Sequence, residues 1–229
     1  MGTPGPADAT VYHRVHSLVL NKVPRWALGW AAPTVFALER LYVRGFRRIL
    51  GLRPSEKYFA YSWVLKRVLA GPRRILDVGP GDSLFPCELV RRGHDVVAID
   101  LVSDSTPWRF PGLGFVRADL RYAPFRNGVF EVVTGLSSIE HIDEGQELAC
   151  RELSRITKDG GRLLVTLPFD ENADKMKDLL SRAFTYVAVE YYLAARAQTS
   201  WRQVAHDQWH RHAPGDVVVA HLSLAKRRV

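Results

Sequence analysis

Along this chain the spacing of apolar residues changes once, near residue 71. Before that point it is helical. In LERLYVRGFRRILGL, residues Leu38, Leu41, Tyr42, Gly45, Ile49 and Leu52 fall on one stripe with arginines opposite. Pro54-Ser55-Glu56 reads as a helix start, and the helix it opens runs through YFAYSWVLKRVLA until Gly71-Pro72 stops it. Two or three helices are expected between Val11 and Ala70, after a Gly/Pro-rich, frayed beginning. From Arg73 onward, short apolar runs alternate with helical ones. ILDVG, DVVAID, GFVRAD, FEVVTG and GRLLVTLPF read as strands, with helices over Leu84 to Arg92 and Gly145 to Thr157. Strands apolar on both faces belong to a parallel sheet covered by helices. FTYVAVEYY and DVVVAHLSLAKR are two further β runs joined by a long polar segment with no crossover helix between them, which predicts an antiparallel final pair.

The expectation is therefore an α/β fold: a doubly wound, Rossmann-like sheet, mostly parallel with an antiparallel C-terminal strand, preceded by N-terminal helices. The division is residues 1–70 as helical extension and lid, and 71–229 as the main domain. At 229 residues, 47% hydrophobic and 24% charged, the chain has the makeup of a globular protein. WALGWAAPTVFAL is too short to span a bilayer and carries Pro33, so no transmembrane segment is expected. Cys87 and Cys150 form no C-x-x-C, which suits a reducing, cytoplasmic setting. A net charge of +8 leaves room for RNA or an anionic membrane surface as partner, but the arginines and lysines form no block of five or six.

The chemistry gathers in RILDVGPGDSLFPCELVRRGHDVVAID. Ligands of open parallel sheets bind at the carboxyl ends of the strands, where strand order reverses. Gly79-Pro80-Gly81 sits at such an end, with Asp82 or Ser83 available to cap the next helix. Asp100, ending the second strand, is placed to accept from the hydroxyls of a ribose. A pyrophosphate cofactor wants a third glycine where this chain has Leu84, and Asp77 would repel its phosphates. An acid near a sulfonium or an α-amino group attracts instead, which favours S-adenosyl-L-methionine over NAD.

LDVGPG resembles the glycine loop of class I S-adenosylmethionine-dependent methyltransferases. VRADLRYAPFRNGVFEVVTGLSSIEHI is similar to that family's stretch from the third strand to just past the fourth. CRELSRITKDGGRLLVTLPF resembles its following helix, Gly-Gly turn and fifth strand, and DVVVAHLSLAKR its antiparallel last strand. The resemblance covers roughly Tyr58 to the C-terminus. It implies that Gly79 and Gly81 pass the methionine part of the cofactor, with Asp77 turned toward that loop. Asp100 would hold the ribose, Leu101 and Val102 border the adenine, and Asp119 accept from its amino group beside the Leu120 backbone. Leu136 and Ser137 would lie near the transferable methyl. Glu140 and His141 match an acid–histidine pair common at this place. His141 would serve as general base or merely hold its loop, and Glu140 as its partner or as a ligand for a substrate amine. Pro80 departs from the family's usual Cys or Ala, and SDSTPWRFPG has no counterpart.

The expected function is methyl transfer to oxygen or nitrogen of a small-molecule acceptor. An RNA methyltransferase, with the helix around Arg40, Arg44, Arg47 and Arg48 as its basic face, and a catalytically silent cofactor-binding subunit are the alternatives. Peripheral membrane contact through the N-terminal helices is a further option. Tyr58, Tyr61 and Trp63 are expected to line a lid or the acceptor site. His206, His210 and His212 lack a supporting carboxylate and read as a solvated helix, so no metal is expected. Both cysteines read as core residues.

Overall fold

A computed structural model describes residues 56–68, 71–81, 83–101, 110–168, 173–194, 201–211 and 217–227. The helices expected before Glu56, the membrane-surface stretch and the basic helix lie outside the described residues, as do Asp82, Val102 and His212. The same holds for the side chains of Tyr58, Trp209 and His210.

The chain runs α1 (Glu56–Arg67), β1 (Arg74–Val78), α2 (Phe85–Arg91), β2 (Asp95–Asp100), β3 (Leu113–Arg117), β4 (Phe130–Leu136), α3 (Gln146–Ile156), β5 (Thr157–Pro168), α4 (Ala173–Ala183), β6 (Phe184–Ala194), β7 (Arg202–Val204), α5 (His206–His210) and β8 (Val217–Lys226). Single 3-10 turns span Leu120–Tyr122 and Ile139–His141. Eight strands form one sheet in the order β3-β2-β1-β4-β5-β8-β6-β7. The first five are parallel, and β8 runs antiparallel to both β5 and β6. The doubly wound sheet with an antiparallel C-terminal strand is thus present. The polar segment before β8 also holds a short antiparallel edge strand, β7, and α5, which the hydrophobic pattern did not predict.

Strand periodicity divides the core. Ile75, Val132 and Leu164 face α1 and α2, packing with Ala60, Trp63, Val64, Phe85 and Leu89. Their neighbours Leu76, Val133, Leu163 and Val165 point the other way, onto Leu153 and Ile156 of α3 and Met176 and Leu180 of α4. In α4 the buried residues Ala173, Met176, Leu179 and Leu180 recur at helical spacing, a signal in ADKMKDLLSRA that the reading of the sequence passed over. The expected turn at Lys158–Gly161 appears as a register shift against β4, with Gly160 at a φ of 73°.

Strand order reverses between β1 and β4: the chain moves outward through β2 and β3, then returns to β4 and continues to β5. The crevice above that reversal is where α/β sheets take ligands.

Candidate functional site

The glycine loop is held from three sides. Gly79 donates its N–H to the Ile99 carbonyl at 2.9 Å, carrying the loop over toward β2. Its φ of 62° is a left-handed conformation, and a Cβ there would lie 2.7 Å from Cβ of Ser138. Ser138 in turn donates its hydroxyl to the Val78 carbonyl at 2.8 Å. Gly81, at φ 59°, has open space where a Cβ would stand. Its N–H donates to Oδ2 of Asp100 at 3.0 Å. Asp77 is only 3% exposed and accepts from the Thr134 hydroxyl at 2.6 Å, its directly paired neighbour on β4. Ser83 serves the start of α2: its Oγ accepts the Phe85 N–H at 3.0 Å and meets the Tyr61 hydroxyl at 2.7 Å.

Beside this loop Leu101 is 60% exposed, an apolar side chain at the carboxyl end of β2. Leu120 is buried. Asp119 accepts the Arg121 N–H at 2.9 Å, and its carboxylate is clasped by the Arg121 guanidinium at 2.6 to 3.0 Å. That guanidinium holds the Asp119 carboxyl below the usual carboxylate range. Arg121 also donates to the Glu144 carbonyl, so it bridges the two loops.

Past β4, Leu136 is buried and Ser137 adopts a φ of 48°, uncommon for a residue with a side chain. The strain is over-determined by its bonds: the Ser137 N–H reaches both the carbonyl and Oγ1 of Thr166 at 3.1 Å, and its hydroxyl donates to Glu56 of α1. Glu140 is 1% exposed whereas the His141 side chain is 71% exposed. Nε2 of His141 lies 3.9 Å from Oε1 of Glu140, within ion-pair distance but beyond hydrogen-bond reach.

α1 brings Tyr61 onto Phe85 with ring centroids 4.8 Å apart. Trp63 donates its indole N–H to Glu190 of β6. Arg67 lies 4.3 Å over the Trp63 ring and binds both Glu190 oxygens at 2.9 and 2.7 Å. Thr134, Ser138, Thr166 and Glu56, which hold this arrangement, escaped the reading of the sequence. Ser138 was signalled only by its place beside Ser137. The two thiols are core groups: burial, together with the Asp77 charge, pushes Cys87 up, and Cys150 is pushed up to about 12. Among the described residues no three His, Cys, Asp or Glu side chains group as metal ligands, and no helix is long and apolar enough to cross a membrane.

An adenosyl ligand fits these residues. Gly81 leaves open space above the loop, and Leu101 offers an apolar surface. A carboxylate has about four lone-pair positions, so Asp100 can accept hydroxyls alongside the Gly81 N–H.

Comparison with known proteins agrees. A family described as "Methyltransferase domain" matches residues 76–165. A demethylmenaquinone methyltransferase of Mycolicibacterium gilvum is 30% identical over 162 residues, 67% of this chain; the chain spans 59% of that relative's length. Among solved structures, the N-methyltransferase NodS of Bradyrhizobium japonicum, in complex with S-adenosyl-L-homocysteine, superposes with a TM-score of 0.58 at 14% identity, covering 75% of this chain and 88% of that one. The [4+2]-cyclase SpnF superposes at 0.57 and 20% identity, covering 74% and 80%, so one fold carries more than one reaction. The glycine loop, the acid that ends β2 and the sheet order are thus accompanied by a match to the methyltransferase domain over residues 76–165 and by the fold of the class I S-adenosylmethionine-dependent methyltransferases, whose cofactor is S-adenosyl-L-methionine.

Proposed function

We propose that the protein transfers a methyl group from S-adenosyl-L-methionine to an oxygen or nitrogen of a small-molecule acceptor. The observation that carries this reading is the closed loop at the strand reversal, where Gly81 N–H meets Asp100 while Gly79 packs on Ser138. Asp100 would hold the ribose, Leu101, Val102 and Leu120 the adenine, and Gly79, Gly81 and Asp77 the methionine end. Asp119 would use the lone pairs that Arg121 leaves it. The cofactor supplies a methyl already activated on a sulfonium.

The chain's own work is then alignment and exclusion of water, which can contribute roughly 7–11 kcal/mol. Leu136 and Ser137 border the transfer position, and residues 1–70 act as the helical extension and lid over 71–229. Tyr58, Tyr61 and Trp63 belong to that lid, and Tyr61 and Trp63 tie it to Ser83 and Glu190. An acceptor that arrives protonated needs a base, and exposed His141 is the group assigned to it, with Glu140 buried beside it.

Demethylmenaquinone, the acceptor in its relative's name, heads the panel to try. The test is thermal stability with S-adenosylhomocysteine, followed by transfer of labelled methyl from S-adenosylmethionine to that panel. Ligand at a hundred times its dissociation constant adds about 2.7 kcal/mol, a midpoint shift of roughly 5–11 °C for a chain of this size. That shift is expected in the wild type and lost in Asp100→Ala. No shift at millimolar ligand would sink the reading.

A further inference from the structure

One row of residues crosses the sheet at the height of the transfer position: Leu136 on β4, Thr166 on β5, His221 on β8 and Glu190 on β6 are directly paired in turn. Residues so paired point to one face. That face lies under α1, because Glu56 at its start bonds Ser137, and Trp63 and Arg67 near its end bond Glu190. Eleven helical steps cover about 16 Å, and the three strand spacings from β4 to β6 about 14 Å. The helix therefore crosses over β5 and β8, and its middle comes down on His221.

His221 is fully buried, and neither imidazole nitrogen has a hydrogen-bond partner. Phe59, Trp63 and Tyr192 surround it with ring centroids 4.9 to 5.0 Å away. The Trp201 ring stacks on Phe59 at 5.3 Å, and its indole nitrogen is also buried without a partner. Burial, then the nearby Arg67 charge, pushes the imidazole down to about 3, so it stays neutral. A neutral imidazole keeps one acceptor nitrogen and one N–H. Leaving such groups unmatched costs stability that a phenyl ring would not cost. Phe59, Tyr192 and Trp201 are each only part-buried, so the cluster reaches the surface on that side. Glu190, the charged residue of the row, is neutralised by Arg67, a setting that disfavours a charged guest.

We infer that His221 positions the methyl acceptor, and that the acceptor class is a planar aromatic bearing a hydroxyl. Its ring packs against Tyr192 and Trp201 in the place Phe59 now covers, and its hydroxyl bonds the imidazole. This rests on the methyltransferase reading above.

The experiment is equilibrium dialysis of 2-naphthol and 2-methylnaphthalene against the full chain with S-adenosylhomocysteine present, in wild type, His221→Phe and His221→Gln. Wild type should bind 2-naphthol about tenfold more tightly, the worth of one hydrogen bond. His221→Phe should bring that ratio to one or below, and His221→Gln, which keeps a donor and an acceptor, should retain part of it. A purely structural His221 would alter the melting temperature and leave the ratio unchanged in both variants, overturning the inference. So would a wild type without preference for the hydroxyl, including the case in which ordered water alone satisfies the ring. If S-adenosylhomocysteine still shifts the melting temperature in that case, only the His221 inference fails. If it does not, the cofactor reading fails with it.

Discussion

Replacing each loop glycine by alanine separates backbone strain from crowding. Gly79 and Gly81 have nearly the same φ, 62° and 59°. A left-handed conformation costs a residue with a Cβ about 1–2 kcal/mol. Gly81→Ala should cost only that, since a Cβ there meets nothing within 4 Å. Gly79→Ala adds a contact at 2.7 Å against Cβ of Ser138, itself anchored to Val78. Overpacking of that kind costs about 1–3 kcal/mol more. The expected totals are about 1–2 and about 2–5 kcal/mol, or midpoint losses of roughly 2–8 and 4–20 °C for a chain of this length. Thermal melts with and without S-adenosylhomocysteine provide the assay. Ser138→Gly in the Gly79→Ala background should return the crowding part and leave the φ part, a non-additive pair. Equal losses at the two glycines, or strict additivity with Ser138→Gly, would refute the reasoning.

Other outcomes follow from the same contacts. His221 is ordinarily protonated below pH 6.5 but stays neutral in the fold down to about 3. The unfolded chain therefore binds the extra proton in that window, and stability falls as pH drops through it. Between pH 7 and 5 the loss attributable to this group is about 2 kcal/mol. Urea titrations of wild type and His221→Phe at both pH values should differ by that amount; half-buried His94, shifted the same way, affects both proteins alike. Ser137→Ala should cost about 1 kcal/mol through the lost hydroxyl bonds, and Ser137→Gly should be about 1 kcal/mol better than Ser137→Ala because it relieves the φ of 48°. Glu190→Gln should weaken the grip of Arg67 and Trp63 on β6, costing about 1–2 kcal/mol and speeding proteolysis within α1. His141→Gln should lower kcat about 10²–10⁴-fold if His141 takes the acceptor proton, and an unchanged kcat in the labelled-methyl assay would leave it a loop residue.

Much of this was legible in the chain because it depends on local pattern. The apolar runs ILDVG, DVVAID and FEVVTG have few conformational choices, and a glycine pair at the end of one has fewer. What could not be read depends on residues far apart in sequence. Nothing in VVVAHLSL says that its histidine would lie under a helix more than 150 positions earlier, and nothing near Glu56 points to Ser137. Asp119 was expected to face a ligand, and its local partner Arg121, two residues on, was overlooked because i,i+2 pairs do not face each other on a helix. Asp119 is instead the extended N-cap of a 3-10 turn, and its carboxylate folds back onto the Arg121 N–H and guanidinium. Glu140 and His141, neighbours in sequence, divide between core and surface, a difference in burial that adjacency alone does not reveal.

The position of β8 bears on the order in which the molecule can be completed. Its partners on β5 lie 51 to 63 residues earlier, from Pro168 paired with Val219 to Arg162 paired with Ala225. β6 and β7 reach the sheet only through β8. While the chain emerges from a ribosome, the five parallel strands can assemble in sequence, but the margin of β5 stays open and β6 has nothing to join. A nascent chain halted before Val217 would expose an unpaired, apolar strand margin suited to intermolecular pairing. The row that includes His221 would also be missing its middle, so the acceptor wall is among the last parts of the protein to come into being.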